Sequence, residues 1–154
     1  MRILALDIGS KRIGVAFADT SVRIAVPRGM IPVDGNEFAS IVKQFQLEKA
    51  DLIIAGRPLN NQGEETDQTQ SVKGFIIALK EYFVKHEQLP APVVKFQDES
   101  LTSVVAESRF GNQLSRSERA SGKVDTEAAT IILQDFIESV NLAQLQEEID
   151  GQTK

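Results

Sequence analysis

The sequence predicts an α/β fold: a mixed five-stranded sheet, a three-strand antiparallel meander followed by parallel strands, flanked by helices. Two observations predict it. Three strand-like runs separated by short turns open the chain, Arg2 to Asp7, Arg12 to Ala18 and Val22 to Val33. Two later apolar runs, "DLIIAG" and "VVKF", then alternate with helix-patterned segments. Short connections favour antiparallel neighbours, whereas strands separated by helices pair in parallel. With 154 residues, 42% hydrophobic and 25% charged, the chain can bury the core of one domain.

The elements follow in order. Ile3 to Leu6 is continuously apolar and ends on Asp7, before the turn Gly9-Ser10-Lys11. In the second strand Ile13, Val15 and Phe17 alternate with smaller residues; the third is interrupted near Pro27. Phe38, Ile41, Val42 and Phe45 have helical spacing, with Asn36 as a candidate cap for a helix reaching Glu48. Asp51 to Gly56 is short and wholly apolar after its first residue, as in a strand covered on both faces. "RPLNNQGEETDQTQ" is a polar loop, and Val72, Phe75, Ile76, Leu79 and Phe83 mark a long amphipathic helix that "LPAP" ends. Val93 to Phe96 is a further strand with "QDES" at its end. Thr102 or Ser103 caps a short helix to about Phe110, "GNQLSRSERASGK" is a loop, and a helix runs from Val124 to about Val140. The domain is expected over 1–140, with 141–154 as a flexible tail of few apolar anchors.

Composition excludes several chemistries. There is no cysteine, so neither a disulfide nor a thiolate metal site can form. The lone histidine, His86, lies among charges near a helix end and reads as a surface residue, which argues against histidine-based catalysis. No apolar stretch nears the ~20 residues that span a bilayer, and no secretory leader is visible, so no membrane partner and a cytoplasmic location are expected. The net charge of −5 argues against a general nucleic-acid coat, but it is unevenly spread. Arg109, Arg116, Arg119 and Lys123 form a basic stretch holding one acid, Glu118, whereas Gln134 to Asp150 has five acids and no Lys or Arg.

In α/β sheets ligands gather beyond the carboxyl ends of parallel strands. Asp7 ends the first strand, Asp98 and Glu99 end the last, and Asp125 opens the final helix. Carboxylates brought together repel unless one protonates or a cation lies between them, and an all-oxygen set suits Mg²⁺ or Mn²⁺. Each acid has a plainer reading: Asp125 as a helix cap, Asp98 as a turn residue or partner of Lys95, Glu99 as a solvated loop acid. Asp7 resists one, because a buried strand has no use for an unpaired charge. In "GRPLNNQG", Gly56 lets the backbone approach a ligand, Arg57 could reach a phosphate, and Asn60 offers neutral donors and acceptors; the alternative is a connecting loop.

Four stretches in this order, "LALDIGSKRIGVAFAD", "IIAGRPLNNQGEETDQT", "DESLTS" and "GKVDTEAATIIL", resemble the YqgF family of Holliday-junction-resolvase-like nucleases over Leu4 to Leu133. The resemblance implies a ribonuclease H-like fold and a nuclease processing the 5′ end of the precursor of small-subunit ribosomal RNA. Four-way DNA junctions, or RNA binding without cleavage, are the alternatives. It makes Asp7, Glu99 and Asp125 the catalytic and metal-binding acids, with Asp98 beside them, around Mg²⁺ or Mn²⁺. One metal would activate water and the other would stabilise the leaving oxygen. Lys11, Arg12, Arg57, Asn60 and the basic stretch Arg109, Arg116, Arg119 and Lys123 would hold the nucleic-acid backbone. Ser100 stands where the family usually has Arg, removing one phosphate contact. A monomer or weak homodimer is expected. "DIGS" followed by Lys11 also resembles the phosphate loop of actin-like kinases, but that class needs two such domains around a cleft.

Overall fold

A computed structural model describes the backbone of residues 1–99 and 123–153 and the side chains of 1–99 and 127–152. The expected short helix ending near Phe110 and the loop carrying Arg109, Arg116 and Arg119 lie outside the described residues. Within them, β1 (Arg2–Ile8), β2 (Arg12–Asp19) and β3 (Val26–Pro32) form the meander. They are followed by α1 (Glu37–Leu47), β4 (Leu52–Arg57), α2 (Asp67–Lys85), β5 (Val94–Asp98), α3 (Lys123–Ser139) and α4 (Leu142–Thr153). The sheet order is β3-β2-β1-β4-β5; β1 pairs antiparallel with β2 and parallel with β4, and β4 pairs parallel with β5.

Alternation along the strands builds two cores, one on each face of the sheet. Ile3 and Ala5 of β1 and Leu52 and Ile54 of β4 pack with Ala129, Ile132, Leu133 and Phe136 of α3. Leu4 and Leu6, with Ile53 and Ala55, pack with Ile41 and Val42 of α1 and Ile76, Leu79 and Phe83 of α2. Central strands buried on both sides explain why their sequences are apolar throughout rather than alternating.

Three differences from the sequence reading concern β3, the cap of α1 and the end of the chain. The third strand begins only at Val26, because residues 20–25 turn at the sheet's lower edge and Arg23 adopts a positive φ of 61°. Asn36 occupies the cap position of α1, but its side chain makes no capping bond. Where a flexible tail was expected from 141, the chain forms α4: Leu145 and Ile149 bury in the α3-side core, and Glu148 bridges Lys95 at 2.6 Å. No described helix is long and apolar enough to cross a membrane.

Candidate metal and nucleic-acid site

The strand parities decide which acids can meet. Ile3 and Ala5 face α3, so Asp7 belongs to that face of β1. Glu99, just beyond β5, reaches the same face, and its carboxyl is hydrogen-bonded to that of Asp7. Strand β4 lies between the two. What lets them meet across it is Gly56: a Cβ built there would overlap Glu99 Oε2 and stand 2.7 Å from Ile132 Cδ1. The register Leu6↔Ala55 sets Gly56 beside Asp7, and on the other side Asp7 pairs with Gly14. Two glycines thus flank the carboxylate and open a notch in the sheet's upper edge. The sequence reading ended a strand at Gly56 and let its backbone approach a ligand; β4 runs one residue further, and the group that approaches is Glu99.

Asp98 goes the other way. It pairs in register with Arg57, and the two form an ion pair at 2.6 Å. Arg57 also reaches Glu65 at 3.3 Å, on the α2 side of the sheet. Asp98 is therefore turned away from Asp7 and Glu99, and Lys95, its alternative partner from sequence, is engaged with Glu148. Arg57 is held by two acids on the face opposite the carboxylate pair. Asn60 Oδ1 accepts hydrogen bonds from the backbone N–H groups of Gln62 (3.0 Å) and Glu64 (2.9 Å), which shapes its own loop. Thr69 Oγ1 donates to the carbonyl of Pro58 and pins that loop to α2. Lys11 is exposed in the β1–β2 turn and Arg12 is half-buried at the start of β2, both at the upper edge. His86 is exposed at the end of α2, stacked on Tyr82 at 4.9 Å.

The direction of α3 fixes where Asp125 falls. Gln134 accepts from Ala25 N–H at 2.9 Å, and the Ile137 carbonyl accepts from Arg23 at 3.2 Å, both at the lower edge. Ile132 lies against Gly56 near the upper edge. The helix therefore runs downward, and residue 125, seven positions before Ile132, sits roughly 10 Å further up by helical rise. Seven residues are about two turns, so positions 125 and 132 share one helical stripe. Lys123 and Asp125 both lie in the first turn rather than at a cap.

Among the described residues no group of three potential ligands forms; the pair Asp7 and Glu99 does. Its electrostatics are telling. Burial, then the charge of Asp7, then the hydrogen bond with it push the Glu99 carboxyl up to about 8. Near neutral pH the pair shares a proton. A hard divalent cation would supply the same neutralising charge, and an all-oxygen donor pair fits one such as Mg²⁺ or Mn²⁺.

A stability consequence follows. The folded protein holds the Glu99 proton up to about pH 8, whereas the unfolded chain releases it near 4.5. The folded state thus binds more protons over that window, and metal-free stability should fall as pH rises from about 4.5 to about 8. The slope is at most about 1.4 kcal/mol per pH unit. Glu99→Gln should flatten it. Urea unfolding in EDTA at pH 5 and pH 8 tests this, and equal slopes in both proteins would refute the coupling.

A family model described as "RuvX: Holliday junction resolvase" matches residues 1–139. A relative from Chloroflexus aurantiacus, named "Putative pre-16S rRNA nuclease", is 37% identical over 139 residues, covering 89% of this chain and 86% of its own. One of the same name from Caldanaerobacter subterraneus is 39% identical over 147 residues, covering 90% and 97%. Among solved structures, the fowlpox virus Holliday junction resolvase superposes with a TM-score of 0.52 at 17% identity, covering 91% of this chain and all of its own. Thermus thermophilus RuvC, solved with a Holliday junction substrate, gives 0.51 at 12%, covering 90% and 94%. At such identities these two speak for the fold alone, which is ribonuclease H-like. The family match and the relatives together span nearly everything from β1 to the end of α3, and the chain belongs to the RuvX family, also called YqgF.

Proposed function

We propose that this protein is a divalent-metal-dependent endonuclease whose task is processing the 5′ end of the small-subunit ribosomal RNA precursor in the cytoplasm. The observation that carries the chemistry is the Asp7–Glu99 pair, two carboxyls held together over the Gly56 notch at the upper edge of the sheet. The substrate class is supported by the names of the relatives. Asp7 and Glu99 would hold the cation, with Asp125 as third ligand from the first turn of α3. When bound, Mg²⁺ or Mn²⁺ supplies polarisation of a phosphoryl oxygen and activation of water.

The chain's own residues do the rest. Asp7 is carried by its strand, and the Glu99 backbone is held by the hydrogen bond of its N–H to the Arg57 carbonyl at 3.1 Å, which anchors both residues at one edge. The Arg57–Asp98 pair holds that end of β5 from the opposite face. Arg57 then positions the site rather than gripping phosphate. Backbone binding falls to Lys11 and Arg12 at the same edge and to Arg109, Arg116, Arg119 and Lys123.

Cleavage of labelled precursor ribosomal RNA beside a four-way DNA junction, with Mg²⁺ or Mn²⁺, tests the reading. Cutting of the RNA with the junction intact is expected; the reverse makes the protein a junction resolvase, and tight binding without cutting makes it a binding module. Replacing both Arg116 and Arg119 with Ala should weaken binding about equally across sequences and flatten its salt dependence by a slope of about 1 per lost contact. An unchanged slope would confine the contacts to Lys11, Arg12, Arg109 and Lys123.

A further inference from the structure

The upper edge of the sheet has a second side. Asp7 faces α3, so the next residue, Ile8, faces α1 and α2, where it opens a cavity of about 500 Å³. Its floor is apolar: Ile8, Val33, Val72 and Phe75. Its rim is polar: Ser10 of the β1–β2 turn, Glu37 in the first turn of α1, and Asp67, Gln68 and Ser71 in the first turns of α2. That size falls within the range of small-molecule sites. Floor and rim exclude one obvious occupant. Two helix N-termini point here and would favour a phosphate, but each carries an acid in its first turn, Glu37 and Asp67. A flat apolar group bearing N–H donors on its edge suits the cavity better: its face meets Phe75 and Val72, and its donors meet the carboxylates.

We propose that this cavity receives an unpaired, amino-bearing base of the nucleic acid cut at the Asp7–Glu99 pair. The inference rests on the nuclease reading of that edge and adds a subsite to it. The two places are one residue apart in β1 and lie on opposite faces of a single edge. A strand laid across the edge with a phosphate at Asp7 brings a neighbouring nucleotide over Ile8, Gly9 and Ser10. Only a base free of its helix can turn down into the cavity, so the site selects single-stranded or bulged positions next to the cut. Phe75 is itself braced by Phe38, ring centroids 5.0 Å apart, so the wall it offers is already packed. The scarcity of aromatic residues in the sequence points to recognition through phosphates and shape; the cavity adds one place where a base is read.

The test uses an RNA hairpin with a single-stranded 5′ arm, and versions of it in which each arm position in turn is abasic. Binding is measured by fluorescence anisotropy in EDTA. One abasic position should weaken binding to the wild-type protein about tenfold, the scale on which losing one stacked base acts, while the others matter little. Ser71→Phe, on the exposed rim, should fill the cavity and erase that dependence. Asp67→Asn leaves the floor open and should reduce the dependence without erasing it, which guards against a misfolded Ser71→Phe. Equal tolerance of abasic sites at every position overturns the proposal, as does a dependence that survives unchanged in both variants. An RNA bound with the position dependence but never cut with Mg²⁺ or Mn²⁺ supports the cavity and overturns the nuclease reading. An RNA cut efficiently with no position dependence does the opposite. An RNA not bound at all overturns both.

Discussion

Asp7→Asn should abolish cleavage while leaving the metal-free protein more stable than wild type above pH 8. Both effects have one cause. Asp7 and Glu99 are held against each other by strands whose positions are set by the core, not by the carboxyls. Near pH 5 holding the shared proton costs the fold little, whereas by pH 7 the folded protein already holds a proton that the unfolded chain has released. Above about 8 Glu99 ionises, and both carboxyls of the half-buried notch then carry charge. Asparagine keeps the shape and removes one charge, so the repulsion vanishes. The gain should be about 1–3 kcal/mol at pH 9, against little difference at pH 5. For a chain of this length, that is about 2–4 °C of melting temperature per kcal/mol. Added Mg²⁺ or Mn²⁺ should reverse the order, raising the wild type and leaving the variant unmoved, because linkage stabilises only the protein that binds. The cleavage loss should be roughly 10³-fold or more, the scale of several kcal/mol of metal-assisted transition-state stabilisation. Thermal melts across pH, with and without metal, are compared with cleavage rates from the same preparation. A variant that melts far below wild type at every pH would make Asp7 a structural group.

Much of this was legible in the sequence, and what was not has identifiable reasons. A charge ending a wholly apolar strand signals a site wherever the strand lies, so Asp7 needed no tertiary information. The antiparallel meander and the parallel direction of the later strands followed from connection lengths; that β4 alone separates β1 from β5 did not. Which of Asp98 and Glu99 joins Asp7 did not, because adjacent residues at a strand end point to opposite faces and the choice hangs on where β5 stops. Reading the strand to Phe96 leaves both acids in a loop, free to converge; β5 continues to Asp98, which commits that side chain to the α2 face beside Arg57. The Arg57–Asp98 pair is itself a product of β4–β5 register, a non-local quantity. In α4, Leu142, Leu145 and Ile149 do have helical spacing, but three apolar positions among acids and glutamines read as weakly anchored until β5 and α3 supply the surface they bury against. Gly56 was noticed for the wrong partner: a glycine in a strand marks a close approach, yet the sequence could not say that a carboxylate from the next strand makes it.

Gly56→Ala is the most economical probe of that approach, since it adds one methyl group and replaces no acid. The new Cβ must overlap Glu99 Oε2 and press on Ile132 Cδ1. Gly56 is buried and held in β4 between β1 and β5, so the backbone cannot retreat far, and the mobile party is the Glu99 side chain. Displacing it breaks the hydrogen bond with Asp7 and moves one candidate ligand by roughly 1 Å, the shift that relieves the overlap. Misplacement on that scale costs on the order of 10²-fold in rate. The metal-induced rise in melting temperature should shrink in parallel. Some stability should go as well, about 1–3 kcal/mol, as for other methyl groups forced into packed sites. That loss alone would not distinguish a crowded core from a displaced carboxylate, because Ile132 is crowded too. A double-mutant cycle separates them. If the overlap is chiefly with Glu99, Gly56→Ala should cost less in a Glu99→Ala background, with a coupling of at least about 0.5 kcal/mol. An equal cost in both backgrounds would assign the strain to Ile132 and α3. Retained metal response and full activity in Gly56→Ala would mean that Glu99 meets Asp7 by a route that does not need the notch.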